Sequence, residues 1–74
     1  MPDKEWQDRV KGLLKAELKK RNVGYKELAD KLGAMGIHET PENIANKIAR
    51  GGFTAVFLIQ CLKAVGANAL RLED

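Results

Sequence analysis

The sequence predicts an all-α domain, a small bundle of four to five helices. Apolar residues recur at three- and four-residue spacing, and no segment alternates apolar and polar residues as a half-buried strand does. Capping residues and glycines fall where helices would begin and end. At 74 residues with one cysteine, the chain must bury a single core without disulfide staples, so residues 1–74 are read as one domain.

Trp6, Val10, Leu13, Leu14 and Leu18 share one face, which makes residues 4–21 an amphipathic first helix with its lysines in water. Trp6 is assigned to the core of its own domain. Asn22-Val23-Gly24 ends that helix, with Gly24 as chain reverser and weak N-cap. The second helix runs from Tyr25 to Met35 on Leu28, Ala29, Leu32 and Met35. Gly33 inside it lowers helix propensity but admits a close neighbouring helix. Gly36 is placed as the left-handed C-cap, with Ile37 folding back behind it.

Thr40-Pro41-Glu42 starts a third helix. Threonine accepts from a free N–H, proline has the φ of a first turn, and glutamate suits the positive helix end. That helix spans Pro41 to Arg50 and stops at Gly51-Gly52. Thr54 caps a fourth, Ala55 to Val65, closed by Gly66. The tail ANALRLED fits either one helical turn or an extended piece.

With Ile44 at zero and 100° per residue, the third helix divides completely. Pro41, Ile44, Ala45, Ile48 and Ala49 fill an arc from about 0 to 140°, and Glu42, Asn43, Asn46, Lys47 and Arg50 one from about 160 to 300°. The second set suits DNA. Asparagine pairs bidentately with adenine, arginine with guanine, and lysine takes guanine or a phosphate.

Thirteen basic and ten acidic residues leave +3. Arg9, Lys11, Lys15, Lys19, Lys20 and Arg21 face only Glu17 in their stretch, a basic stripe that fits either an anionic partner or a solvated helix face. The charged start MPDKEW leads to the expectation of neither signal peptide nor membrane span. The lone Cys61 fits a reduced, cytoplasmic setting and reads as a buried inert thiol. His38, the single histidine, would need distant carboxylates to hold a metal. No acid pair or nucleophile–base set is visible, so neither catalytic residues, metal, cofactor nor small-molecule ligand is expected, and the protein is not read as an enzyme.

The runs YKELADKLG and ENIANKIARGG resemble the Cro/lambda-repressor type of helix-turn-helix domain. The resemblance lies in Leu28-Ala29 and Leu32-Gly33, in Arg50-Gly51 after the recognition helix, and in the apolar AVFLIQCLKAVG. It covers residues 10–67, with the motif at 25–50. The chain is also similar to short stand-alone bacterial proteins of this fold of unknown function. The resemblance implies a lambda-repressor-like helix-turn-helix with a lengthened turn, since residues between Gly33 and Ile44 exceed the usual motif. It implies sequence-specific duplex DNA binding by a bacterial transcriptional regulator. Asn43, Asn46 and Lys47 would then meet bases, and Tyr25, Lys26, Arg50 and Gly51 the DNA backbone.

In the fourth helix only Gln60 and Lys63 are polar between Ala55 and Val65. A helix this apolar is central or shared with a second chain. A homodimer through Phe57, Leu58, Leu70 and Leu72 is therefore expected, which would set two recognition helices roughly 34 Å apart. The alternative is a protein-interaction adaptor on the same fold, using the long turn, the fourth helix and Trp6.

Overall fold

The computed structural model describes residues 2–72. Among them lie four helices and no strand: α1 (Pro2–Lys20), α2 (Tyr25–Ala34), α3 (Pro41–Arg50) and α4 (Ala55–Ala64). The architecture is all-α. Residues 67–72 of the tail are irregular, and Glu73 and Asp74 lie outside the described residues. None of the described helices is long and apolar enough to cross a membrane.

Three of the helix ends use one device. Asn22, Gly36 and Gly66 take left-handed conformations at φ 58°, 82° and 81°. In each case the next residue turns back: the N–H groups of Val23, Ile37 and Ala67 donate to the carbonyls of Leu18, Leu32 and Leu62, each at 2.9 Å. These are Schellman turns, in which an apolar residue after the turn folds onto the helix it has left. Asn22, not Gly24, reverses the chain after α1, because asparagine tolerates the left-handed region. Gly24 is the extended N-cap of α2, at φ −85°.

The helix starts follow the sequence chemistry. Thr40 Oγ1 accepts from the Asn43 N–H at 3.1 Å, and Thr54 Oγ1 from the Phe57 N–H at 3.0 Å. Each cap is worth about 1 kcal/mol.

Every helix contributes to one core: Leu14 and Leu18, Leu28 and Leu32, Ile44 and Ile48, then Phe57, Cys61 and Leu62, closed by Ala67. Burying each large apolar side chain stabilises the fold by about 1.5–3 kcal/mol. α1 packs against both α3 and α4, and so does α2. α3 is thus held between α1 and α2, with one face left to solvent.

Two apolar side chains depart from expectation. Trp6 is 64% exposed and does not enter the core. It lies on the shoulder of α1, about 80° from Leu14, which faces inward. Phe57, expected on a dimer surface, is 4% exposed and fills the core with its ring 5.5 Å from that of Phe53. The large apolar side chains that α4 does expose are Val56 and Ile59. Gly33 is also unlike its expectation, for a Cβ there would meet nothing within 4 Å.

Candidate nucleic-acid interface

α3 is anchored by Ile44 and Ile48, both fully buried. Helical geometry then turns Glu42, Asn43, Asn46 and Arg50 outward, and all four are exposed. Of the expected base contacts, Asn43 and Asn46 therefore stand free on one surface.

Lys47 is placed differently. It sits at the edge of that face, and its ammonium pairs with the Glu39 carboxylate in the loop between α2 and α3. The same ammonium lies 4.9 Å from the centroid of the Phe57 ring. Glu39 is the more enclosed partner, its side chain 12% exposed against 42% for Lys47. Lys47 thus ties the long turn to α3 and covers the core phenylalanine.

The expected backbone contacts divide as well. Lys26 is exposed, whereas Tyr25 is half-buried and packs against the core. Gly51 is buried, and its N–H already donates to the carbonyls of Lys47 and Ile48. It cannot reach a phosphate, because the backbone of α1 at Gln7 lies directly over it. Its neighbour Gly52 is exposed.

The outer side of α3 changes character along its length. At its N-terminal end a shallow groove of about 470 Å³ is lined by Asp30, His38, Glu39, Thr40 and Asn43. At its C-terminal end a groove of about 280 Å³ is lined by Gln7, Lys47, Arg50, Gly52 and Phe53. An anion suits the second groove, which offers a guanidinium and a carboxamide. The first carries the Asp30 and Glu39 carboxylates, which suit amino groups better than phosphate.

Half of the basic stripe along α1 and its end is committed to the fold. Lys11 Nζ donates to the Ala49 carbonyl at 3.3 Å, Arg21 Nη1 to Val65 at 3.2 Å and Arg9 Nη2 to Leu72 at 2.8 Å. Lys11 and Arg21 thereby sit at the negative C-terminal ends of α3 and α4, where cations are favourable. Lys15, Lys19 and Lys20 remain exposed on the stripe.

The Cys61 thiol is fully buried. Burial above all, and then the Glu39 carboxylate, push its pKa up to about 11, with Lys47 opposing. Among the expected dimer residues, Leu58 and Leu70 are half-buried against the core, and Leu72 is 65% exposed.

Two residues of this surface, Gln7 and Glu39, are absent from the sequence reading. Gln7 is brought in by α1 crossing the end of α3, a tertiary contact without a local pattern. Glu39 lies in the turn, eight residues before its partner and outside any helical spacing.

The sequence profile of one family, described as Domain of unknown function (DUF6471), matches residues 6–70. The chain belongs to the DUF6471 family. The DUF6471 match takes in all of α2, α3 and α4, most of α1 and the start of the tail. No curated protein and no solved structure gives a significant match.

Proposed function

We propose that this DUF6471 protein binds duplex DNA through the outer face of α3, as a cytoplasmic bacterial transcriptional regulator. On this reading α2, the turn at 35–40 and α3 are a helix-turn-helix pair of the Cro/lambda-repressor type. The observation that carries it is the division of α3 into an anchored face, Ile44 and Ile48, and a free face presenting Asn43, Asn46 and Arg50. Asn43 and Asn46 have the donor–acceptor pairs that read adenine in the major groove. Arg50 and Lys26 supply positive charge for flanking phosphates, and Lys47 adds its charge from the side of Glu39. The mechanism is binding alone.

Selection of duplexes from a random library, with purified protein at near-physiological salt, tests the proposal. Recovery of a defined motif supports base reading by α3. Recovery of no motif, with binding that vanishes on modest salt, leaves only weak electrostatic attraction and removes it. The exposed Trp6 and Leu72 favour the adaptor as a second reading. It predicts a protein partner whose binding survives Asn46→Ala.

A further inference from the structure

We propose that the groove between α1 and the C-terminal tail is the surface on which two copies of this chain associate, with Trp6 at its centre. The groove holds about 400 Å³ and is lined by Trp6, Arg9, Val10, Leu13 and Leu72. Trp6 and Leu72 are 64% and 65% exposed, although tryptophan and leucine gain most when buried. One wall is the outer face of α1. The other is the tail, held there by Arg9 Nη2 on the Leu72 carbonyl at 2.8 Å.

The charges on the rim identify the occupant. Glu5 and Arg9 are four residues apart on α1, in the order that favours an ion pair within a helix. Arg9 is drawn instead to the Leu72 carbonyl, and neither side chain has an oppositely charged partner among the described residues. Both lie beside Trp6, where a smaller groove is lined by Glu5, Trp6 and Arg9. Glu5 and Arg9 occupy the same edge of the helix, about 40° apart.

Two α1 helices crossing antiparallel about a two-fold axis bring that edge against itself. Trp6 of one copy then lies over the partner's Val10, and Glu5 comes within reach of the partner's Arg9. The arrangement repeats across the axis, as an isologous contact requires. A guanidinium has five N–H donors, so Arg9 can keep Leu72 and still meet a carboxylate. Symmetry thus pairs the acid and the base of this rim, neither of which has an ion-pair partner among the described residues.

The apolar lining is confined to Trp6, Val10, Leu13 and Leu72, so a weak association is expected. It uses the α1–tail surface in place of α4, where Phe57 is committed to the core, and it does not rest on DNA binding.

Trp6 is the only tryptophan, so its emission reports on this surface alone. Sedimentation and Trp6 fluorescence would be followed together from low to high micromolar protein. The mass is expected to rise from 8.2 kDa toward twice that value, with a blue shift of emission over the same concentrations. Leu72→Glu, at an exposed site, should raise the dissociation constant at least tenfold with the helical content unchanged, while Ile59→Glu on α4 should leave it unaltered. Glu5→Arg and Arg9→Glu chains should each stay monomeric and associate when mixed. A monomer at all concentrations overturns the proposal and leaves the groove to a different partner. So does a dimer whose Trp6 emission stays solvent-exposed, or one lost on Ile59→Glu and kept on Leu72→Glu.

Discussion

The Lys47 ammonium on α3 pairs with Glu39 in the turn before it while lying 4.9 Å from the centre of the Phe57 ring on α4. One side chain therefore links the long turn, α3 and the core. Lys47→Ala removes the pair and uncovers Phe57, at an expected cost of about 1 kcal/mol in denaturant unfolding. Lys47→Met keeps the aliphatic cover and should lose less. An alanine variant as stable as the parent protein would show that the link is geometrically present but energetically idle. Glu39→Gln leaves the ammonium without its carboxylate. On the DNA-binding reading it should tighten binding to any duplex and steepen its salt dependence, which a titration across salt concentrations measures directly.

Gly51 and Gly33 should respond to alanine in opposite directions. Gly51 sits at φ +72°, and a Cβ there would lie 2.8 Å from the Gln7 carbonyl oxygen. The left-handed conformation alone costs roughly 1–2 kcal/mol for a residue with a Cβ. Displacing α1 adds to it, so Gly51→Ala should destabilise by at least about 2 kcal/mol. Gly33 lies inside α2 with nothing within 4 Å of a built Cβ. Gly33→Ala should therefore stabilise by up to about 1 kcal/mol, from helix propensity alone. Paired urea melts of the two variants decide both signs.

The limits of α3 are legible residue by residue, because Thr40, Pro41 and Gly51 each carry a backbone requirement written in their own chemistry. α2 and α4 end one residue before the expected Met35 and Val65, which become C-caps as the turns tighten ahead of Gly36 and Gly66. The free face of α3 is legible because its periodicity is clean. α4 is not, since a helix apolar nearly all round has no sequence signal for its inner side, and its periodicity does not mark Phe57 as inward. Hydrophobicity alone groups Trp6 with the inner residues of α1, whereas its shoulder position leaves it exposed. What periodicity cannot supply is the destination of long side chains. Lys11 and Arg21 find the ends of α3 and α4 across 38 and 44 residues, and only the packing of α1 determines that.

Cys61 should be inert in the folded protein. The thiolate is the reactive form, and burial keeps the thiol protonated until about pH 11. Its pKa in the folded chain is raised above that of a free thiol, so the native state holds the proton more tightly than the unfolded state does. The contribution to stability is accordingly full below the ordinary thiol value of 9.0 and falls as pH rises from there toward about 11. Labelling with a thiol reagent at pH 8 should follow unfolding, with a large acceleration in denaturant. Rapid labelling of the native protein would show that Cys61 is reached by local opening of α4. A Cys61→Ala variant should lose the part of the alkaline decline that belongs to this group.

Arg50 and Asn46 separate two kinds of contact on the face assigned to DNA. Arg50 has no ion pair among the described residues and lines the groove with Gln7 and Gly52, the geometry expected of a phosphate contact. Arg50→Ala should weaken binding to all duplexes alike and reduce the salt slope by about 0.9 for the one phosphate released. Asn46 is uncharged, so Asn46→Ala should leave that slope unchanged while relaxing preference at one base position by about 1–3 kcal/mol. Equilibrium titrations against the selected duplex and single-base variants, over a range of salt, give both quantities from one set of proteins. If both substitutions lowered affinity uniformly, α3 would be holding the backbone without reading bases. Loss of neither slope nor preference would move the contact surface away from α3.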